Sequence, residues 1–223
     1  MNELDADVQA PAVVPPPRLR GWLHAGMAPI AVVLGIVLVA LSPAEYRWAA
    51  ALYSLTAVML FGTSAVYHRF AWSPKVKVLL KRLDHSNIFL IIAGSYTPFA
   101  VVLLPWEQER TLLILVWTGA ILGVLFRVFW VGAPRWLYTP IYIALGWVAL
   151  FYLPAFWSAG GPAVVILLAV GGLCYSAGGI VYALKRPNPS PEWFGFHEIF
   201  HALTLAGFIT QYIAVSMVLY SAR

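Results

Sequence analysis

Runs of about 18 or more apolar residues, parted by short polar connections, constrain this chain more than any other feature. A helix of that length crosses the roughly 30 Å hydrocarbon core of a bilayer. Seven such segments are expected, at 25–42, 48–68, 85–104, 111–130, 136–153, 162–184 and 194–220. Connections such as SPAEYR, PWEQER, VGAPRW and WSAGGP divide them. Trp22, Trp48, Trp72, Trp106, Trp130, Trp136, Trp157 and Tyr220 fall near segment ends, where an interfacial aromatic belt belongs. The expected fold class is an all-α integral membrane protein, a bundle of seven transmembrane helices.

Composition agrees. Only 10% of residues are charged and 61% are hydrophobic, whereas a soluble domain carries about 25% charged residues. Residues 1–20 are acidic and then Pro-rich, without the apolar centre of a secretory signal, and read as a disordered cytoplasmic tail. A single membrane domain is expected over 21–223. One cysteine, Cys174, allows neither an intrachain disulfide nor a Cys-rich metal site.

The net charge of +5 reflects topology rather than a nucleic-acid partner. With seven spans, Arg18, Arg20, Arg69, Lys75, Lys77, Lys81, Arg82, Arg127, Arg135, Lys185 and Arg186 share one side of the membrane. Only Arg47, Arg110 and Arg223 fall on the other. The positive-inside rule then makes the N-terminus cytoplasmic and the C-terminus external, in the cell inner (cytoplasmic) membrane.

That topology gathers ionisable groups at one depth. His68 ends the second segment, Asp84 begins the third, and His197 and His201 begin the seventh. Such groups are costly in hydrocarbon and normally face the bundle interior. His197 and His201 lie at i and i+4 on one helical face, as do Ser64 and His68. The seventh helix is expected to start upstream, with Ser190 capping and Pro191 in the first position.

Three imidazoles and a carboxylate suit Zn2+. Catalytic zinc uses three protein ligands and leaves a fourth position for water, whose pKa falls to about 7. Asp84 would move the proton, and Ser64 would hydrogen-bond the water or a polarised substrate oxygen. Each residue also has a plain structural role: an interfacial histidine, an Asp84 ion pair with Lys81 or Arg82, a Ser64 bond to its own helix. Spacing and topology leave both readings open. His85 and His24 read as interfacial or surface residues, Arg127 as a cation snorkelling outward, and Glu198 as a partner of the helix dipole. Ser86, Asn87, Ser95, Tyr96, Thr97 and Pro98 read as a polar run that knits helices together.

The ordered set S-A-V-Y-H at 64–68, R-L-D-H-S at 82–86, A-G-S-Y-T-P-F at 93–99 and H-E-I-F-H-A-L at 197–203 resembles the haemolysin III family. That family is the bacterial branch of the progestin and adipoQ receptor family, which is similar to the alkaline ceramidases. The resemblance implies a seven-helix fold with zinc near the cytoplasmic face. It implies His68, His197 and His201 as metal ligands, and Ser64 and Asp84 as the catalytic pair beside them. It also implies membrane lipids as partners, with a substrate held in an intramembrane cavity. Two functions follow as expectations: a zinc-dependent hydrolase of lipid amides, or a non-enzymatic protein of membrane homeostasis with a structural zinc. A secreted pore-forming haemolysin fits poorly, because strongly apolar spans do not travel through water.

Overall fold

The structure, a computed structural model, describes residues 15–222. Among these it is all helical. The order is α1 (Trp22–Leu41), a 3-10 turn (Ala44–Tyr46), α2 (Arg47–Arg69), α3 (Pro74–Leu103), α4 (Trp106–Phe129) and α5 (Arg135–Gly146). A second 3-10 segment (Trp147–Tyr152), α6 (Leu153–Leu184) and α7 (Phe196–Ser221) complete it. Six stretches are long and apolar enough to cross a membrane, the residues 135–184 forming one of them. The outer surface is apolar as well: Ile36, Leu122 and Phe151 are 65%, 61% and 84% exposed. Continuous apolar surface of that kind suits lipid, not water. The chain is a multi-pass helical membrane protein.

Several expected boundaries move. α3 starts at Pro74, so Lys75, Lys77, Lys81 and Arg82 lie on the helix rather than in a connection, and Asp84 lies three turns inside it. The reason is Pro74, whose fixed φ suits a first helical position. α7 starts later than expected, at Phe196. Ser190 and Pro191 belong instead to a turn in which the Phe194 amide donates to the Ser190 carbonyl at 2.8 Å. His197 is therefore the second residue of its helix. The first turn is capped by Glu198, whose Oε2 accepts the Gly195 amide at 2.9 Å.

The expected WSAGGP connection is helical as far as Gly160. Only Gly161, at φ 79° and ψ 173°, leaves helical geometry. Such a φ strains any residue with a side chain, which is why the break falls on glycine. The tail expectation also changes at its described end. Residues 1–14 lie outside the described residues, but Arg18 and Leu19 donate backbone bonds to Glu192 and Trp193 at 2.8 and 3.2 Å. The Arg18 guanidinium stacks on the Trp193 ring at 4.6 Å.

α3 is the central element, packing against α2, α4, α5, α6 and α7. Its polar run does knit helices. Asn87 Nδ2 donates to Met59 O at 2.8 Å and Thr63 Oγ1 at 3.0 Å on α2. Trp117 Nε1 of α4 donates to Thr97 Oγ1 at 3.2 Å. Tyr96 donates to Gly146 O at 2.6 Å and accepts the Ala149 amide at 2.7 Å, holding the point where α5 tightens into 3-10 geometry. Gly123 of α4 lies so close to the Phe89 ring that a Cβ would clash with it.

Candidate metal centre

α2 and α7 both pack against α3 and bring His68, His197 and His201 together. One nitrogen from each ring lies within 4.8 Å of the other two. His68 Nε2 and His197 Nε2 are 3.2 Å apart. Two imidazole nitrogens sharing a tetrahedral zinc, each about 2.0–2.1 Å from it, stand about 3.3 Å apart, so the spacing fits the ion. His201 is buried, and the i, i+4 register of α7 holds its ring 4.6 Å from that of His197. The chain entering α1 fixes His68 from the other side. Gly21, at φ 80°, passes so near that a Cβ there would fall 2.6 Å from the Cβ of His68.

Asp84 and Ser64 arrive at the same place. Asp84 Oδ2 lies 3.8 Å from His68 Nε2, and the same from His85 Nδ1. Ser64 is buried and lines the same cavity as Asp84. The converging donor group comprises the three histidines and does not include Asp84. Three imidazole nitrogens with a carboxylate beside them, not among them, are a group that could hold a metal ion with one position left open.

A cavity of about 200 Å³ opens from this group into the bundle. Ser64, Asp84, His197 and His201 line one end, and Ile92, Phe99, Phe156 and Leu168 line the rest. Its wall on α3 runs from Asp84 to Phe99, about 22 Å at 1.5 Å per residue.

Four neighbours differ from the sequence reading. His24 is not at a membrane surface: α1 begins at Trp22, and the His24 ring is 2% exposed and faces the cavity. His85 is also buried rather than interfacial. Its Nδ1 is 2.9 Å from Lys81 O and its Nε2 is 3.3 Å from the Tyr182 hydroxyl, which in turn accepts from Tyr138 at 3.3 Å. Arg127 does not snorkel outward. It is fully buried, stacks on Tyr138 at 4.3 Å, and its two terminal nitrogens donate to Trp130 O and Val131 O at 3.4 Å each. Glu198 does more than complement the helix dipole, because its second oxygen pairs with Arg20. Tyr138 and Tyr182 carried a usable signal in the sequence, since both lie at the same helix ends as the histidines.

The Haemolysin-III related family model matches residues 14–212. The chain belongs to that family. It is similar to a Hemolysin-3 homolog from Bacillus subtilis (strain 168), 31% identical over 165 residues that make up 74% of each chain. It is similar also to a Hemolysin-3 from Bacillus cereus, 34% identical over 164 residues, 73% of this chain and 71% of the relative. A Heptahelical transmembrane protein ADIPOR2 from Oryza sativa subsp. japonica is 29% identical over 194 residues, 78% of this chain and 82% of the relative. That last similarity bears out the link between haemolysin III proteins and the progestin and adipoQ receptor group.

Proposed function

We propose that this haemolysin III protein is a zinc-dependent hydrolase of membrane lipid amides, working from inside the bilayer. The observation that carries this reading is the meeting of three histidine nitrogens with Asp84 and Ser64 at the polar end of a long apolar cavity. His68, His197 and His201 would hold Zn2+. When bound, zinc supplies Lewis acidity, which polarises a carbonyl and acidifies water. Asp84 would take the proton released as water adds to the amide carbon and deliver it to the departing nitrogen. The products are then a fatty acid and an amine. Ser64, lining the same end of the cavity, would orient the Asp84 carboxylate. The apolar walls would hold an acyl chain in line and keep bulk water from the reacting bond.

Asp84 standing outside the converging group favours this reading over a closed structural zinc, which fills all four positions with protein ligands. The associated topology is seven crossings with a cytoplasmic N-terminus, in the cytoplasmic membrane. Residues 135–160 and 162–184 span about 40 and 35 Å as helices, each enough for one crossing. The heptahelical name of the rice relative supports the same count.

The test is purified protein in lipid nanodiscs, analysed for metal and incubated with a panel of lipid amides and esters. Zinc near one equivalent and fatty-acid release from an amide are expected. Full metal content with no release from any of the panel would sink the hydrolase reading and leave zinc a structural role in membrane homeostasis.

A further inference from the structure

His24 comes from α1, which supplies none of the converging nitrogens, yet its ring lies flat on that of His201. The centroids are 3.8 Å apart and the planes 4° from parallel. Behind it, Phe61 of α2 meets the His24 ring edge-on at 5.1 Å and 85°. Phe61 in turn meets Phe208 of α7 at 5.0 Å and 76°. Phe61 and Phe208 are themselves buried. A column of rings therefore runs Phe208, Phe61, His24, His201, leaving α7 and returning to it about two turns from where it began.

Two things follow from that geometry. First, His24 is not a fourth ligand. Imidazole lone pairs lie in the ring plane, and the lone pairs of two parallel rings 3.8 Å apart do not meet on one ion. Second, a metal-ligating imidazole is normally oriented by a carboxylate or carbonyl that accepts its other N–H. Among the described residues, His201 is held by rings instead: His24 on its face, with His197 and His68 at 4.6 and 5.3 Å. The only carboxylate within three residues of it on α7, Glu198, is occupied by the Gly195 amide and Arg20.

We propose that His24 is a positioning residue of the metal centre, fixing the His201 ring by face-to-face stacking in place of the usual hydrogen bond. This rests on the metal reading above. The stack sets the torsion that aims the His201 nitrogen at the common point with His68 and His197. It also couples α1 to that centre.

The test uses the full chain in nanodiscs, with His24→Phe and His24→Leu. Both are apolar and of similar bulk, so the buried site stays filled, and only Phe keeps a flat face. Zinc affinity is read by chelator competition, and the visible spectrum of the Co2+ form reports the ligand geometry. The expected result is wild-type-like affinity and spectrum for His24→Phe. His24→Leu should bind about tenfold more weakly or worse, with an altered Co2+ spectrum. If both variants match wild type, or both weaken alike, stacking is not what positions His201 and the inference falls. A wild type that retains no metal overturns the metal reading itself, a result distinct from either.

Discussion

At the scale of single residues, the centre depends on nitrogens that few other groups hold in place. His68 and His197 approach to 3.2 Å although they are 129 positions apart, and removing either leaves a two-nitrogen group. His68→Ala and His197→Ala should each lose stoichiometric zinc, measured by elemental analysis of purified protein. Asp84→Asn should differ from both. It keeps the three nitrogens and the volume but cannot carry a proton, so zinc content should persist while lipid-amide turnover drops at least a hundredfold. Zinc loss on Asp84→Asn would instead make Asp84 a ligand. Of the site, His68, His197, His201, Ser64 and Asp84 were legible in the sequence, because helical spacing and charge-derived topology put them at one depth. His24 was not. The apolar run that marks the first span starts after it, and only the helix start at Trp22 brings the ring inside.

At the scale of elements, α3 explains why an apolar protein keeps a polar run in its most enclosed helix. Asn87, Tyr96 and Thr97 satisfy groups on α2, on the α5 junction and on α4. Interhelical hydrogen bonds in bilayers average about 0.6 kcal/mol and reach about 1.7. Asn87→Ala should therefore destabilise by about 1 kcal/mol in a reversible unfolding assay in detergent. Gly123→Ala should cost more, about 1–3 kcal/mol, because its Cβ meets the Phe89 ring and not a flexible side-chain end. A Gly123→Ala protein as stable as wild type would mean that α4 can shift away from α3 without cost. Element ends were the least legible feature. Apolar periodicity does not register three turns of helix that carry four cations, so the start of α3 was placed eleven residues late. The start of α7 was misread because Ser190-Pro191 has the chemistry of a helix start but sits in a tight turn.

At the scale of the whole molecule, basic residues tie one end of the bundle together. Arg20 pairs with Glu198, Arg69 stacks on Trp22 at 4.1 Å and donates to Arg20 O at 3.2 Å, and Arg135 donates to Tyr182 O at 3.1 Å. The histidine cluster lies just inside this end. Single cysteines at Ser73 and Glu107, in a Cys174→Ala background, should label from the cytoplasmic and external sides respectively with a membrane-impermeant thiol reagent. The reverse pattern would invert the proposed orientation. Span length, charge bias and helical period are local properties of the chain, and they suffice to mark a helical membrane protein and the five residues that meet near one end. What surrounds them is visible only in the folded chain: the buried His24, the His85–Tyr182–Tyr138 chain, the inward Arg127 and the long cavity. Those depend on the rotation of each helix about its axis, and that rotation is set by packing between helices far apart in sequence.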